Sequence, residues 1–139
     1  MLEDCVNIDI WDNDLHILKS INLLLFDESE EDPEKVTIKI SNGHSYSANN
    51  YFDALCILRT ELEKDHIQLL CNGAVKEVYP SNMQLTMGCC RTGYIQYMGM
   101  RAQTKDIVDL FEYDRTLTPC DVAEQIEYHN LWLISLKNC

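Results

Sequence analysis

Positive charge is scarce in this chain. Eleven Lys and Arg stand against twenty-three Asp and Glu, giving a formal net charge of −12 and a pI near 4.5. A field of that sign repels nucleic-acid backbones and anionic membranes and steers basic partners inward. Glycine and proline are few as well, five and three in 139 residues, which excludes a long linker or a low-complexity chain. Apolar runs are short: Leu23-Leu24-Leu25-Phe26 falls far below the roughly 20 residues that cross a bilayer. The opening Met1-Leu2-Glu3-Asp4-Cys5 is acidic where an export signal is basic, so a cytoplasmic location without membrane association is expected.

Signatures of catalysis and metal binding are missing too. Seven cysteines occur (Cys5, Cys56, Cys71, Cys89, Cys90, Cys120 and Cys139), and no two are spaced Cys-x-x-Cys. That excludes a zinc ribbon and a thioredoxin-like pair, and the odd number fits reduced thiols. The vicinal Cys89-Cys90 suits neither a relaxed disulfide nor joint ligation, while Cys56 and Cys71 read as small core residues. His16, His44, His66 and His129 are scattered, with no His-Glu-x-x-His and no Gly-x-Ser-x-Gly elbow. Gly88, Gly93 and Gly99 match neither a dinucleotide fingerprint nor a P-loop. No cofactor and no metal are expected, and the chain reads as a binding protein, not an enzyme.

What is present is a core-forming pattern. At this length a single domain, 1–139, buries enough surface without staples. Residues 1–48 read as strand-rich. Val6, Ile8 and Ile10 alternate with polar neighbours, Asp12-Asn13-Asp14 is a turn, and Leu15 to Leu25 is a second extended stretch with a break near Lys19-Ser20. Val36, Ile38 and Ile40 form another strand, and Asn42-Gly43 turns it into His44-Ser45-Tyr46. A helix is expected over 49–66, capped by Asn49 or Asn50, with Phe52, Leu55, Cys56, Leu58 and Leu62 inward and Arg59 facing elsewhere. Strands follow over 67–99: Ile67 to Cys71 returning through Asn72-Gly73 into Val75–Tyr79, then Gln84–Met87 paired with Tyr94–Met98. Helices close the chain over 104–137. Thr104 caps the first, and Thr118-Pro119 opens the last, whose apolar face is Val122, Ile126, Trp132, Leu133 and Leu136. The fold class is α+β, a mostly antiparallel sheet packed by two or three helices.

The positive signal is acidic. Six of the eight residues from Asp27 to Glu34 are carboxylates: Asp27, Glu28, Glu30, Glu31, Asp32 and Glu34. Their spacing is not that of a calcium loop. A self-repelling solvated connector is one reading. A docking surface for a cationic partner is the other, helped by Glu3, Asp4, Asp12 and Asp14 if they lie nearby. Exposed aromatics would anchor such a surface, and Trp11, Tyr51 and Tyr113 are the candidates.

Several segments in order carry a family resemblance. They are Asn42-Gly43-His44-Ser45-Tyr46-Ser47-Ala48, Tyr51-Phe52-Asp53-Ala54-Leu55, Arg59-Thr60-Glu61-Leu62-Glu63, Leu70-Cys71-Asn72-Gly73, Val78-Tyr79-Pro80-Ser81-Asn82-Met83 and Met87-Gly88. Over about Ser41 to Phe111 the chain resembles small bacterial immunity proteins of contact-dependent growth-inhibition and polymorphic toxin systems. It departs from them at Cys89-Cys90, where small or glycine-rich residues follow the Met-Gly pair. The resemblance implies a cytoplasmic antidote that binds and neutralises a cognate toxin domain, of a basic nuclease type, with no activity of its own. Each such protein is matched to its own toxin, so no binding residue carries over. Two other classes are compatible with the residues. An acidic nucleic-acid mimic that inhibits a DNA-binding protein needs carboxylates spaced along one face, and a small Cys/His enzyme needs an unusually reactive thiol.

Overall fold

A computed structural model describes residues 1–28, 35–86 and 90–137. Among these, two antiparallel sheets and the helices that pack on them build an α+β domain. The larger sheet has the order β4-β3-β2-β1-β5. Its strands are β1 (Leu2–Asp12), β2 (Ile17–Asp27), β3 (Val36–Ile40), β4 (Ser45–Ala48) and β5 (Ile67–Leu70). The smaller sheet joins β6 (Val78–Tyr79), β7 (Thr92–Ile95) and β8 (Ile107–Asp109) in the order β6-β7-β8. Three helices, α1 (Tyr51–Lys64), the short α2 (Asn82–Thr86) and α3 (Val122–Lys137), complete the described elements.

Period-2 patterning sets the large sheet. Ile8, Ile10, Leu23, Leu25, Val36, Ile38 and Ile40 are buried on one face. The register aligns them across strands, with Val6 opposite Leu23, Ile8 opposite Ile21, and Leu25 opposite Ile38. A one-residue slip would turn this whole set to solvent, so the pattern fixes the pairing. The expected break near Lys19-Ser20 does not form. Ile10 pairs with Lys19 and Asp9 with Ser20, and the ladder carries β2 through its polar stretch without interruption. Asn42-Gly43 does turn β3 into β4, with Gly43 at φ 98°, a left-handed backbone that glycine adopts freely.

Helix α1 lies on this sheet. Asn50 is its cap, its Oδ1 accepting the Asp53 N–H at 2.8 Å. Tyr51, Phe52, Ala54, Leu55 and Leu58 face inward, and Cys56 and Leu62 are half-buried. Arg59, expected outside, is 1% exposed. Its guanidinium donates to the Gly73 carbonyl at 3.2 Å, to the Cys120 carbonyl at 2.8 Å and to Gln125 Oε1. Gln125, fully buried on α3, turns its amide nitrogen to the carbonyls of Gly73, Val75 and Val78 at 2.8–3.0 Å. One polar cluster therefore joins α1, α3, the 73–78 segment and the loop before α3.

That cluster explains where local reading fails. Asn72-Gly73 does not make a hairpin. The chain leaves the large sheet there through a 3₁₀ turn, Asn72–Ala74, and β6 enters the small sheet. Asn72 is spent on long-range bonds, its side chain donating to Asp109 O and accepting from Asp114 N. Gly73 serves a close approach: a Cβ there would lie 2.6 Å from Leu55 Cδ2 and 3.2 Å from the Leu110 carbonyl. Gln84 is helical, not a strand residue, because Ser81-Asn82-Met83-Gln84 closes a capping box. Gln84 N–H donates to Ser81 Oγ at 3.1 Å, and Ser81 N–H to Gln84 Oε1 at 2.8 Å. Met87 lies outside the described residues. The partners of β7 are β6 and β8.

Thr104 opens a 3₁₀ turn, Thr104–Asp106, and the β-branched Ile107 and Val108 then pair with Tyr94 and Gly93 as strand β8. Thr118-Pro119 does not start the last helix, since Pro119 bridges to Val75. Asp121 caps α3 instead, its carboxylate accepting from Glu124 N–H at 2.7 Å. Trp132 is buried, but Ile126 and Leu133 are 46% and 43% exposed, so the buried stripe of α3 runs through Gln125 and Trp132.

Gln125→Ala removes one of three acceptors of a buried guanidinium and the donor to three carbonyls. We expect it to lower unfolding free energy by about 2–4 kcal/mol, read as a fall in the urea midpoint. Ile126→Ala, one residue along on the open face, should stay within about 0.5 kcal/mol of the parent. Equal losses from the two would contradict this account of the core.

Candidate functional site

The predicted docking carboxylates divide between the two ends of the β1–β2 hairpin. At one end Leu2 is paired with Phe26, and at the other Asp12 is paired with Ile17. Ten residues of extended chain separate the ends, about 30 Å at the strand rise. Asp27 and Glu28 therefore stand at the opposite end of the hairpin from Asp12, Asp14 and Trp11. Register, set by the apolar pattern, keeps them apart. Glu30, Glu31, Asp32 and Glu34 lie outside the described residues.

Each end has its own chemistry. Glu28 pairs with Lys35 at 3.2 Å. Glu3 and Asp4 do sit beside Asp27, and both are drawn to Arg91, at 3.8 and 3.0 Å. The Cys5 backbone N–H and then Arg91 hold the Asp4 carboxyl below the usual carboxylate range. At the other end, Asp12 is buried and shapes the turn, accepting from the N–H groups of Asp14 and Leu15 at 3.0 Å each. Those bonds, Leu15 first, hold its carboxyl low. Its bonds make it a turn-forming group. Asp14 is exposed and bonds His66 Nδ1 at 2.9 Å. Trp11 is half-buried, set edge-on to His16 with ring centroids 6.3 Å apart. Tyr51 is fully buried and Tyr113 half-buried, so neither offers an open anchor.

The concave acidic surface lies beside the Asp14 end. A cleft of about 710 Å³ opens between β5, the end of α1, the 76–77 segment and the start of α3. Glu63, Glu77, Asp121 and Glu124 line it, against a single ammonium, Lys76. Two of these acids are tied to helix ends, where the helix dipole favours negative charge. Glu63 Oε2 accepts the Val122 N–H at 3.1 Å, and Asp121 caps the same helix. Glu124 is exposed, while Glu77 keeps one carboxylate oxygen, Oε2, buried without a hydrogen-bond partner. Lys76 leans over the Tyr128 ring at 5.8 Å from its centroid. His66, Asn13, Ile67 and Gln68 form the opposite wall.

His66 holds a left-handed backbone, φ 59°, at the turn out of α1, where its N–H donates to the Glu63 carbonyl at 3.1 Å. That turn presents its ring at the cleft. None of Glu63, Glu77, Asp121 or Glu124 belongs to an acidic run that sequence reading could single out. They converge because the Arg59–Gln125 cluster draws α1, the 73–78 segment and α3 together.

Other chemistry is limited among the described residues. Burial pushes the thiols of Cys56, Cys71 and Cys120 up to about 11 and that of Cys90 up to about 12, so little thiolate forms there at neutral pH. Cys89 lies outside the described residues. No group of three or more His, Cys, Asp or Glu among the described residues is placed to hold a metal ion. No helix among them is long and apolar enough to cross a membrane. No protein-family model matches the chain, and no curated protein is similar to it.

The two buried or bonded histidines should titrate on opposite sides of 6.5. The hydrogen bond that the protonated His66 ring donates to the Asp14 carboxylate raises His66, so its contribution is present below 6.5 and is lost as pH rises through its folded value. Burial lowers His129, which is stacked on Tyr79 at 3.7 Å between ring centroids. Its contribution is present above 6.5 and is lost as pH falls through its folded value. An NMR titration of the ring protons checks the order, and coincident midpoints would refute it.

Proposed function

We propose that this chain is an immunity protein, a cytoplasmic antidote that binds a basic toxin domain and blocks it without catalysis of its own. The observation that carries the proposal is the cleft: four carboxylates from three separate elements face one concave space against a single lysine. Carboxylates fixed by a rigid frame complement a cationic surface at lower ordering cost than a mobile acidic tail. The net charge of −12 adds long-range steering toward a basic partner. The resemblance of the 41–111 region to immunity proteins of polymorphic toxin systems gives the partner its class. A toxin of the nuclease type, with a basic substrate groove, is the partner that this charge fits.

The test is co-expression with the toxin domain encoded next to this gene, followed by purification and binding kinetics. A complex and protection of the host are expected, with an association rate that falls steeply as salt rises. Glu124→Lys combined with Glu77→Gln should weaken the complex by about tenfold or more while leaving the circular dichroism spectrum unchanged. No complex and no protection would remove the proposal. An intact complex in the double variant would move the interface away from the cleft.

A further inference from the structure

Helix α3 buries one side and leaves a second apolar side bare. Gln125 and Trp132 point inward, and the Trp132 indole N–H donates to the carbonyls of Tyr97 and Met100, each at 3.0 Å. Leu131-Trp132-Leu133-Ile134 are apolar residues in succession, enough to complete a turn of about 3.6 residues, so this turn is apolar in every direction. A helix that is apolar all round belongs in an interior. Yet Leu131, Leu133 and Ile134 are each about half exposed, and so is Ile126, two turns before Leu133 on the same stripe. The surface widens beside them. Gly99 N–H donates to Ser135 Oγ at 2.8 Å, and Ser135 lies one turn from Leu131, so the 97–100 loop runs along that edge of the helix. Tyr97, Met98 and Met100 are exposed on it. Nearly half of the exposed large apolar side chains among the described residues lie on this helix and loop. An apolar surface of that continuity marks a site of association.

The polar residues set into the face select its occupant. Ile126, Asn130, Leu133 and Lys137 follow one another along the outward stripe, with Glu127 beside it. Glu127 stands toward the start of the face and Lys137 at its end, both exposed, and neither has an ion-pair partner among the described residues. Asn130 lies midway, one turn from Ile126 and one from Ile134. Opposite charges at the two ends and an amide at the centre make a face that complements itself after half a rotation. Lys137 of one copy then meets Glu127 of the other, and the Asn130 amides donate and accept across the axis. The two helix dipoles also run in opposite directions, each negative end beside a positive one.

We propose that the outer face of α3 is the interface of a two-fold dimer of this chain, α3 packed antiparallel on α3 with Asn130 beside the axis. The helix is about 24 Å long at the helical rise. With the loop alongside, the buried area falls at the low end for a specific interface, and an affinity in the micromolar range is expected. The net charge of −12 opposes the approach of two copies. Salt screens that long-range repulsion more than it weakens contacts packed in the interface. The dimer therefore tightens as salt rises, the opposite of a complex with a basic partner. This inference does not rest on the antidote reading.

The test is sedimentation of the full chain over a concentration series, with a reducing agent so that the exposed Cys5 does not link copies. A monomer–dimer equilibrium in the micromolar range is expected. Leu133→Ser with Ile134→Ser, both at exposed positions, should leave the chain monomeric with its thermal melt at low concentration unchanged. Glu127→Lys and Lys137→Glu should each weaken the dimer about tenfold. Combined, they should restore it to near the parent affinity, a rescue that requires the antiparallel contact. A chain that stays monomeric up to about 1 mM, a dimer indifferent to the paired serines, or a charge swap no better than its parts would each overturn the proposal. A monomeric chain whose toxin complex protects residues 130–137 from amide exchange would give the face to the toxin and overturn it as well. A dimer with the expected variant pattern and no toxin complex would remove the antidote reading and leave this one standing.

Discussion

A cation sealed inside an acidic protein holds this fold together. Arg59 is buried with Gln125 and the carbonyls of Gly73 and Cys120 around it, and among the described residues no carboxylate forms an ion pair with it. A guanidinium in such a place needs partners for its donors, and here both terminal nitrogens have them while the buried Nε has none. The bonds of the two terminal nitrogens demand that four stretches of chain, distant in sequence, meet at one point. Gln125 completes the arrangement by donating where the 73–78 segment would otherwise leave carbonyls open. Apolar burial supplies the bulk of the stabilisation. The polar cluster specifies which packing of α3 and of the small sheet against α1 is adopted.

The cleft is a consequence of that specification. Once α1, the 73–78 segment and the α3 cap are fixed to each other, their surface acids face a common space. Glu63 and Asp121 serve twice, stabilising the first turn of α3 and lending charge to the cleft wall. At the far end of the long hairpin, Arg91 neutralises part of the charge on Glu3 and Asp4, and Lys35 that on Glu28. Among the described residues, basic partners thus stand beside Glu3, Asp4 and Glu28 at one end of the sheet, while Lys76 is the one ammonium lining the cleft beside the other.

Legibility in the sequence followed the range of the interactions. Short-range chemistry read true: the alternation of Val6, Ile8 and Ile10, the Asn42-Gly43 turn, and the Asn50 cap each depend on neighbours within a few residues. The α+β class followed from these. Asn72-Gly73 carries the same dipeptide as Asn42-Gly43, yet its Asn bonds to Asp109 and Asp114 and its Gly admits Leu55 and Leu110. Nothing local distinguishes the two. The reading of Thr118-Pro119 as a helix start likewise yielded to a distant partner, Val75. The capping box at Ser81 and Gln84 was a local signal and could have been found.

The candidate site was legible only in its sign. Net charge pointed to a basic partner, but the densest acidic run drew the expected surface to Asp27–Glu34, while the enclosed space is lined by single carboxylates at 63, 77, 121 and 124. A buried Arg in the middle of α1 was the clue that these elements meet, and periodicity placed it on the outside. The central claim, that the cleft is where the partner sits, is tested most directly by amide exchange on the complex with the adjacent-gene toxin domain. Protection concentrated at residues 66–69, 76–77 and 118–124 is the predicted result. Protection confined to the Asp27–Glu28 end or to the outer face of the large sheet would contradict it.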